Sequence, residues 1–358
     1  MEKVILNNDI NCQGLIMDTL KYFPTKYWHK LDDGRIQCDL CPQACKMNEG
    51  QHGLCYVRMR HDNQVVLTAY GHSSGFMIDP VEKKPLNHFL PGSQALSFGT
   101  VGCNLACKFC QNWDISKSRQ DERMSEFALP ASIAEHAQQT HCQSVAFTYN
   151  EPIITLEYGV DTALECQKRG VKTIAVTNGY ICAEPRKEFF RDLDAARIDL
   201  KAFTEEFYHT ITGSHLQPVL DTLMYVKHET KVWLEIICLI IPGKNDSEAE
   251  IDAATKWIVA NLGNDVPVHY TAFHPAWKMS NIPPTQRETL IRAREIALAN
   301  GIRYAYIGNV EAGDAGNTFC HNCKNCIIAR NGYRIADYQL THQGNCKFCG
   351  TSCAGVFE

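Results

Sequence analysis

Three cysteines in the segment GTVGCNLACKFCQNW have the spacing of ligands to an iron–sulfur cluster. Cys103, Cys107 and Cys110 form a C-x3-C-x2-C motif on one short loop. Three thiolates on such a loop can each bind one iron of a cubane cluster, so that the fourth iron is left without a protein ligand and is open to chemistry. The motif therefore predicts a catalytic [4Fe–4S] cluster, with a structural zinc site or a ferredoxin-like loop as the alternative.

A second group of cysteines lies upstream, in the segment CDLCPQACKMNEGQHGLC. Its four thiols are Cys38, Cys41, Cys45 and Cys55. Four thiolates suit either a closed tetrahedral zinc ion or a fully ligated second [4Fe–4S] cluster. The spacing predicts a bound metal at this group and does not distinguish zinc from a cluster.

A third group of cysteines lies near the end of the chain. It consists of two C-x2-C pairs and two additional thiols, which are Cys320, Cys323, Cys346, Cys349, Cys326 and Cys353. Paired C-x2-C elements are typical of zinc ribbons and knuckles, so zinc bound by the two pairs is the first prediction. The alternative is an auxiliary iron–sulfur cluster that also draws on the additional thiols.

The composition restricts the class of protein. With 45% hydrophobic and 21% charged residues and a net charge of −5, the chain of 358 residues is a globular protein without the basic excess typical of nucleic-acid or membrane-surface binding. An export signal is not evident at the N-terminus, and no apolar run approaches the roughly 18 residues of a membrane helix. These features predict a cytoplasmic protein, where 18 cysteines serve as metal ligands rather than as disulfides.

Between residues 95 and 310, short apolar runs alternate with longer stretches of helical periodicity, the pattern of repeated strand–helix units on a parallel sheet. The predicted strands are Ala95–Val101, Ser144–Thr148, Lys172–Thr177, Arg197–Leu200, Val232–Ile241, Val266–Ala272 and Arg303–Ile307. The predicted helices are Ala131–Thr140, Ile153–Arg169, Glu184–Leu193, Leu216–His228, Ser247–Asn261 and Thr285–Asn300.

The predicted fold class is α/β, a partial (β/α)6 barrel of the TIM type with small cysteine-rich appendages at both ends. The regions are 1–94, an N-terminal metal-binding region, 95–310, the partial barrel, and 311–358, a C-terminal zinc-ribbon-like or auxiliary-cluster region. Ligands of such sheets bind beyond the carboxyl ends of the strands. The cysteine loop follows the first predicted strand, and Gly102 allows tight backbone geometry there.

The cysteine loop, with the aromatic Phe109 before its last cysteine, resembles the signature of the radical S-adenosylmethionine (radical SAM) superfamily. The resemblance implies that the amino and carboxylate groups of S-adenosylmethionine chelate the open iron. One electron then cleaves the sulfonium to give methionine and a 5′-deoxyadenosyl radical, which abstracts hydrogen from a substrate. It also implies an external one-electron donor of the flavodoxin or ferredoxin type, which would reduce the cluster.

Residues after the later strands look like further elements of this superfamily. Thr148-Tyr149-Asn150-Glu151-Pro152 looks like the Gly-Gly-Glu-Pro element without its glycines, although Asn-Glu-Pro is also an ordinary helix start. Thr177-Asn178-Gly179-Tyr180 and Asp199-Leu200-Lys201 are similar to elements of glycyl-radical-enzyme activases, with a turn and a solvated ion pair as the alternative. The implied cofactor-binding residues are Phe109, Asn150, Glu151, Thr177, Asn178, Asp199, Lys201 and, after the sixth strand, His274.

The resemblance assigns different roles to these side chains. The Glu151 carboxylate would accept charge-assisted hydrogen bonds from the cofactor's ammonium group. Asn178 and the Asp199–Lys201 pair would lie on the ribose and the methionyl carboxylate, where a lysine supplies a compact positive charge. His274 is either a contact to cofactor or substrate or an ordinary structural histidine.

Longer segments resemble one subfamily, the AmmeMemoRadiSam system radical SAM enzyme, which is related to pyruvate formate-lyase activating enzymes. These segments are CDLCPQACKMNEGQHGLCYVR, DPVEKKPLNHFLPGSQALSFGTVGCNLACKFCQNWDIS and NTFCHNCKNCIIARNGYRIADYQL. The resemblance implies a pathway or complex shared with Memo-type and AMMECR1-type proteins and leaves the substrate unidentified. Cys326 and Cys353 stand where glycine and an aliphatic residue are usual in that family. The C-terminal metal site is therefore expected to differ from that of the family.

The predicted function is a radical SAM enzyme that abstracts hydrogen from an unidentified substrate. A glycyl-radical-enzyme activating enzyme, whose substrate is a protein glycine, is the alternative within the same class. A non-catalytic metal-binding or electron-transfer adaptor is the alternative from a different class.

Overall fold

A computed structural model describes residues 3–4, 20–117 and 126–358 of the chain. Cys12, one of the cysteines outside the three groups, lies outside the described residues. The chain divides into two compact units. The first comprises Met1–Asp79, Gln94–Asp194 and Thr212–Ser214, and the second comprises Pro80–Ser93, Ala195–Ile211 and His215–Glu358.

The described strands, in chain order, are β1 (Lys3–Val4), β2 (Phe23–Pro24), β3 (Trp28–Lys30), β4 (Ile36–Cys38), β5 (Lys46–Met47), β6 (Arg58–His61), β7 (Gln64–Leu67), β8 (His72–Ser73), β9 (Phe76–Pro80), β10 (Gln94–Phe98), β11 (Glu126–Phe127), β12 (Ser144–Phe147), β13 (Lys172–Thr177), β14 (Ala195–Asp199), β15 (Trp233–Ile240), β16 (Val268–Ala272), β17 (Ala305–Gly308), β18 (Thr318–Phe319), β19 (Cys326–Asn331) and β20 (Arg334–Tyr338). The described helices are α1 (Trp113–Ser116), α2 (Pro130–Gln139), α3 (Leu156–Lys168), α4 (Ala183–Arg191), α5 (Glu205–Phe207), α6 (Gln217–Glu229), α7 (Glu248–Leu262) and α8 (Arg287–Ala299).

The first unit contains a sheet with the strand order β1-β9-β10-β12-β13. Strands β10, β12 and β13 are parallel, and each is followed along the chain by one of the helices α2, α3 and α4. All four residues of β12 are buried, as expected for a parallel strand covered on both faces. The first three strand–helix pairs predicted from the sequence are therefore present in this unit.

The second unit contains four parallel strands in the order β14-β15-β16-β17. The helices α6, α7 and α8 follow the first three of these strands. Helix α7 begins after Ser247, whose hydroxyl accepts a hydrogen bond from the backbone N–H of Glu250 at 3.3 Å. This contact is half of an N-terminal capping box, which explains why the helix starts one residue later than predicted.

Two elements differ from their predicted bounds near the cysteine loop. The first parallel strand ends at Phe98 rather than Val101. The residues that follow turn away from the strand because the side chain of Asn150 bonds to Thr100 and Gly102. Helix α3 begins at Leu156, after a 3₁₀ turn at Pro152–Thr155. A proline at the first position favours such a turn, because its fixed φ suits a helix start.

Smaller sheets carry the flanking cysteines. In the first unit, β3-β4-β5 and β2-β7-β6 form two antiparallel sheets. In the second unit, β18-β19-β20 forms a third. Among the described residues, no helix is both long and apolar enough to cross a membrane.

Candidate functional site

The cysteine loop leaves the end of β10 in a conformation that requires glycine. Gly102 has a φ of 85°, and its backbone N–H donates to the carbonyl of Ile115 at 2.9 Å. A Cβ atom added at this position would lie 1.9 Å from the carbonyl oxygen of Cys55. The loop that carries Cys103 is thus in direct contact with the loop that carries Cys55, and a glycine makes this approach possible.

Asn150 holds the start of the cysteine loop. Its Oδ1 accepts from the backbone N–H of Thr100 at 3.0 Å, and its Nδ2 donates to Thr100 Oγ1 and to the Gly102 carbonyl, both at 2.9 Å. Three hydrogen bonds to the loop give this side chain a positioning role. The contact of Asn150 with a cofactor stays a prediction.

The three loop thiols lie at the carboxyl end of the parallel strands of the first unit. Cys107 is buried, whereas Cys103 and Cys110 are partly buried. Burial raises the pKa of the Cys103 thiol, and the charge of Lys117 acts in the opposite direction. The backbone N–H of Leu105 points at Cys103 Sγ at 3.4 Å, a contact that favours the thiolate. Since thiolates are the ligands of metals, binding of iron would release protons here.

Glu151 lies on a buried network that joins two strand ends. Its Oε1 accepts from the Thr177 hydroxyl at 2.6 Å and from the backbone N–H of Ile153 at 3.0 Å. Its Oε2 accepts from the backbone N–H of Asn178 at 2.7 Å. Three protein donors thus orient this carboxylate at the carboxyl ends of β12 and β13.

Asn104 is a residue that the sequence reasoning missed. Its Oδ1 accepts from Asn178 Nδ2 and its Nδ2 donates to the Tyr180 carbonyl, both at 2.8 Å. The side chain is 1% exposed and directly follows Cys103, so it ties the cysteine loop to the end of β13. An asparagine directly after the first cysteine of the motif was the available signal.

We expect Asn104→Ala to lower the free energy of unfolding by about 2 kcal/mol, because two buried polar partners lose their hydrogen bonds. Urea denaturation of the purified protein measures the effect. Asn48→Ala, at an exposed position of the same unit, is the control and should change stability by less than about 0.5 kcal/mol. Equal effects of both substitutions would contradict the assigned role.

The second unit holds the predicted Asp-x-Lys pair at the end of β14. Asp199 Oδ2 accepts from Lys201 Nζ at 2.7 Å, and its other oxygen pairs with Arg197. Burial opposes ionisation of Asp199, but the two cations outweigh it and lower the pKa of the carboxyl. Arg197 was not predicted, because its position inside the strand pattern gave no sign that its side chain turns to Asp199.

The two other predicted cofactor contacts differ in exposure. His274 is exposed two residues beyond β16, and its Nε2 lies 3.2 Å from the carbonyl of Asn309. Phe109, within the cysteine loop, is buried, with 5% of its surface exposed. The role of each residue toward a cofactor stays a prediction.

The C-terminal cysteines converge on a site of the size of a single metal ion. The sulfur atoms of Cys320, Cys323, Cys346 and Cys349 all lie within 4.8 Å of one another. The pairs Cys320–Cys349 and Cys323–Cys346 are each 3.7 Å apart. A tetrahedral zinc with bonds of 2.3 Å places its sulfurs about 3.8 Å apart, so the four thiols fit this ion.

The additional thiols do not join the C-terminal four. Cys353 Sγ lies 3.8 Å from His88 Nδ1, and burial raises its pKa to about 12. Cys326 begins β19 and is partly buried. The group that the described residues bring together contains neither of them, which favours four-thiol ligation over a cluster that uses all six.

The N-terminal cysteines line a cavity in the first unit. Cys38 and Cys45 lie where the β4–β5 hairpin opens, with a backbone hydrogen bond of 3.0 Å from Cys38 N–H to the Cys45 carbonyl. Cys41 is in the hairpin loop and Cys55 precedes β6. With Arg58 and other neighbours, the four cysteines enclose about 330 Å³, including the opening to solvent.

A buried polar cluster in the second unit was not predicted. Glu235, in the middle of β15, accepts from the backbone N–H of Asn87 at 3.0 Å, from that of His88 at 2.8 Å and from His269 Nε2 at 2.7 Å. Burial opposes its ionisation, but the hydrogen bond and charge of His269 outweigh it and lower the pKa of Glu235 to about 2. The sequence presented this strand as an apolar run.

His88 connects the same cluster to the C-terminal region. Its Nδ1–H donates to the Ala354 carbonyl at 2.7 Å, and its Nε2 accepts from the Tyr306 hydroxyl at 2.5 Å. This pattern requires the neutral imidazole. Burial lowers the pKa of His88 to about 4.

We therefore expect the free energy of unfolding to fall as the pH drops below about 6.5, by about 1.4 kcal/mol per pH unit toward pH 4. In this range His88 is protonated in the unfolded chain but stays neutral in the folded protein, where it is buried. Glu235 adds a further loss between its ordinary pKa and about 2. Urea midpoints between pH 7.5 and 5.5 measure the His88 contribution. His88→Gln should flatten the profile, whereas the exposed His274→Gln should leave the slope unchanged; an unaltered slope in both would contradict the assignment.

The residues of the first unit fit a [4Fe–4S] cluster and S-adenosylmethionine. In the described part of the chain, Cys103, Cys107 and Cys110 do not bring their sulfurs within 4.8 Å of one another. They thus lack the spacing of ligands to one ion, whereas thiolates on three irons of a cubane stand about 6 Å apart. Glu151 lies at the same edge of the sheet, and its contact with the cofactor's amino group stays a prediction.

Comparison with known proteins agrees with this donor set. Residues 98–254 match the Radical SAM superfamily. The uncharacterized protein MJ0808 of Methanocaldococcus jannaschii is 36% identical over 325 residues, which are 90% of this chain and 96% of that protein. Pyruvate formate-lyase 1-activating enzyme of Escherichia coli is 22% identical over 222 residues, 58% of this chain and 89% of that enzyme.

A solved structure supports the fold. The crystal structure of a radical SAM methyltransferase from Sphaerobacter thermophilus superposes with a TM-score of 0.50 at 12% identity, covering 83% of this chain and 81% of the other. The predicted α/β fold with a parallel-sheet core is confirmed.

The chain is a radical SAM enzyme and belongs to the radical SAM superfamily. Within that superfamily it shares a family with the uncharacterized protein MJ0808 and is homologous to pyruvate formate-lyase activating enzymes. This membership favours the enzyme over the non-catalytic adaptor, and homologues of the activating type need an external electron donor.

Proposed function

We propose that this enzyme reductively cleaves S-adenosylmethionine at a [4Fe–4S] cluster held by Cys103, Cys107 and Cys110, and takes hydrogen from an unidentified substrate of the AmmeMemoRadiSam system. When bound, the cluster supplies one electron that converts the cofactor to methionine and a 5′-deoxyadenosyl radical. The observation that carries the proposal is the buried network in which Asn104, next to the first cysteine, bonds to Asn178, and Asn178 bonds to Glu151.

The side chains of this network would orient the cofactor and keep its surroundings rigid. Glu151 would accept a charge-assisted hydrogen bond from the cofactor's ammonium group, with its carboxylate oriented by three protein donors. Thr177 and Asn178 fix that carboxylate, and Asn150 fixes the cysteine loop. Asp199, Lys201 and His274 of the second unit would also contact the cofactor. Phe109 of the first unit would do the same.

The test is cofactor cleavage by the anaerobically reconstituted protein. After loading with iron and sulfide, dithionite and S-adenosylmethionine are added, and 5′-deoxyadenosine is measured by mass spectrometry. The wild type and Cys142→Ala, which removes a buried thiol outside the three groups, should produce it. The Cys103/Cys107/Cys110→Ala variant should not. Absence of 5′-deoxyadenosine from a wild type with a reduced cluster would count against the proposal.

Activation of a glycyl-radical enzyme is the second candidate function, because the chain is similar to pyruvate formate-lyase 1-activating enzyme over 222 residues. In that case the substrate would be a glycine on a partner protein. Cofactor cleavage would then depend on a protein with a C-terminal glycine loop, and a glycyl radical would be visible by EPR after incubation with it. Cleavage that is indifferent to such a protein would favour a small-molecule or other substrate.

The C-terminal region would hold structural zinc through Cys320, Cys323, Cys346 and Cys349. The Thr351 hydroxyl lies 3.3 Å from Cys349 Sγ, and hydrogen bonding to Thr351 lowers the pKa of that thiol to about 6. A thiolate at neutral pH is prepared for a metal. The ribbon would also brace the second unit, since His88 reaches Ala354.

We expect Cys349→Ser to lose about one zinc per chain and to destabilise the C-terminal region, because structural zinc contributes directly to folding. Zinc released by denaturation and measured with a chromophoric chelator tests this expectation. Cys326→Ser is the matched control and should retain the metal. Loss of zinc in the control, or its retention in Cys349→Ser, would show that other thiols are the ligands.

The cellular setting is the remaining part of the proposal. Three groups of thiols and an iron–sulfur centre suit the reducing cytoplasm. An external one-electron donor of the flavodoxin or ferredoxin type would reduce the cluster, and Memo-type and AMMECR1-type proteins would act in the same pathway or complex. Co-purification from cells that produce all three proteins tests the last point.

A further inference from the structure

The sulfur atoms of the N-terminal cysteines are arranged differently from those of the C-terminal site. We propose that Cys38, Cys41, Cys45 and Cys55 hold a second, fully ligated [4Fe–4S] cluster beside the loop of Cys103. This centre goes beyond the proposed function, because cofactor cleavage by itself requires one cluster.

The two flanking cysteine groups differ in how closely their sulfur atoms approach one another. The C-terminal thiols pair at 3.7 Å, the spacing of sulfurs around one zinc ion. In the described part of the chain, no three of the N-terminal thiols lie within 4.8 Å of one another. The three thiols of the cysteine loop likewise form no such group, and sulfurs bound to different irons of a cubane stand about 6 Å apart.

The N-terminal thiols nevertheless face a common space. They line one cavity, of about 330 Å³ with its opening, together with the apolar Leu40, Leu54 and Ile154. The backbone N–H of Leu54 points at Cys45 Sγ at 3.4 Å, and N–H donors to sulfur tune iron–sulfur clusters. Two thiols come from the edge of one hairpin, one from its loop and one from a separate turn, so the ligands surround the cavity from several directions.

The lining also carries a buried positive charge. Arg58, which is 1% exposed, lines the cavity, and its Nη2 is 2.5 Å from Glu157 Oε2. A cluster with four thiolates is an anion, and a buried cation nearby offsets its desolvation. Charge alone would suit a zinc with four thiolates as well. What favours the cluster is that no three of these sulfurs form a group of the size that surrounds a single ion.

The cavity lies against the cysteine loop of the same unit. Gln43 Nε2 donates to the carbonyl of Asn104 at 3.0 Å, and the Cys55 carbonyl faces Gly102. Each of these contacts is to a neighbour of Cys103 in the sequence. Four thiolates leave no open iron, so this second cluster would not bind a substrate through iron and is suited to exchanging electrons with the first.

The test is the metal content of the Cys103/Cys107/Cys110→Ala variant of the full chain, purified anaerobically and reconstituted with iron and sulfide. We expect about 4 iron and 4 sulfide per chain, about one zinc, and an EPR signal of a reduced cluster after dithionite. A variant without iron but with about two zinc would overturn the proposal in favour of a second zinc site. A variant without iron and with one zinc would overturn it in favour of unligated thiols.

The wild type provides the second measurement, in case the triple variant folds poorly. Iron analysis and Mössbauer spectroscopy should find about 8 iron per chain, all in cubane clusters, and about 4 would overturn the proposal if the first cluster is loaded. The result is separable from the proposed function. Iron in the triple variant reports on the N-terminal site alone, whether or not the wild type produces 5′-deoxyadenosine.

Discussion

Replacing Gly102 with alanine is expected to lower the free energy of unfolding by more than about 3 kcal/mol and to prevent stable iron binding at the cysteine loop. Two costs combine. The φ of 85° places an alanine in the left-handed region, at about 1 kcal/mol. The new Cβ would also lie 1.9 Å from the Cys55 carbonyl, and because this neighbour is backbone, the loop itself would have to move.

Gly170→Ala is the matched control for this substitution. Gly170 also has a positive φ, 68°, but a Cβ there would meet nothing within 4 Å. Gly170→Ala should therefore lower the free energy of unfolding by the conformational cost alone, about 1 kcal/mol. The variant should keep its iron. Urea denaturation and iron analysis of both variants measure the difference. Similar stability and iron content in the two would contradict the close approach of the cysteine loops.

Replacing Arg58 with methionine is expected to cost about 3 to 5 kcal/mol, because it leaves the buried Glu157 carboxylate without its partner. The guanidinium donates to both carboxylate oxygens, at 3.2 and 2.5 Å, and to the Ile154 carbonyl at 2.8 Å. The side chains are 1% and 6% exposed, so water cannot take over these bonds. The measurement is the shift of the urea unfolding midpoint.

A surface ion pair near the other end of α3 is the comparison. Lys168 Nζ lies 2.5 Å from Glu165, with the lysine 65% exposed, and Lys168→Met should cost less than about 0.5 kcal/mol. The double variant Arg58→Met/Glu157→Met should be more stable than Arg58→Met, since no buried charge is then left over. If the double variant were less stable than Arg58→Met, Glu157 would have a stabilising role besides its pairing with Arg58.

Arg58 and Gly102 act in the same region of the first unit, because Arg58 lines the cavity of the N-terminal cysteines and Gly102 faces one of them, Cys55. Arg58 reaches Ile154, just before α3, and Cys55 faces Gly102 at the start of the cysteine loop. Of the region 1–94 that the sequence presented as a separate appendage, the part up to Asp79 belongs to the first unit and Pro80–Ser93 to the second. The division of the chain into the regions 1–94, 95–310 and 311–358 stays a prediction.

Much of the fold could be predicted from the sequence. Parallel strands buried on both faces have a continuous apolar pattern that turn residues interrupt, and β12, β13 and β16 lie within a residue or two of their predicted bounds. The cysteine motifs could be predicted for a similar reason, since Cys103, Cys107 and Cys110 are neighbours in the chain. Where the structure differs, a contact from far along the chain is the cause, as with Asn150 and the early end of β10.

The sequence by itself determined which residues could bind metal and that they follow strands of an α/β fold, because spacing and periodicity are local properties of a chain. The tertiary structure decided the rest. It brought Asn104 to Asn178, 74 positions away, and His88 to Glu235, 147 positions away. It also set the four C-terminal sulfurs at the spacing of ligands to one ion and did not bring three N-terminal sulfurs into such a group. Distances between sulfurs on different loops depend on how those loops pack, and a spacing in sequence does not contain them.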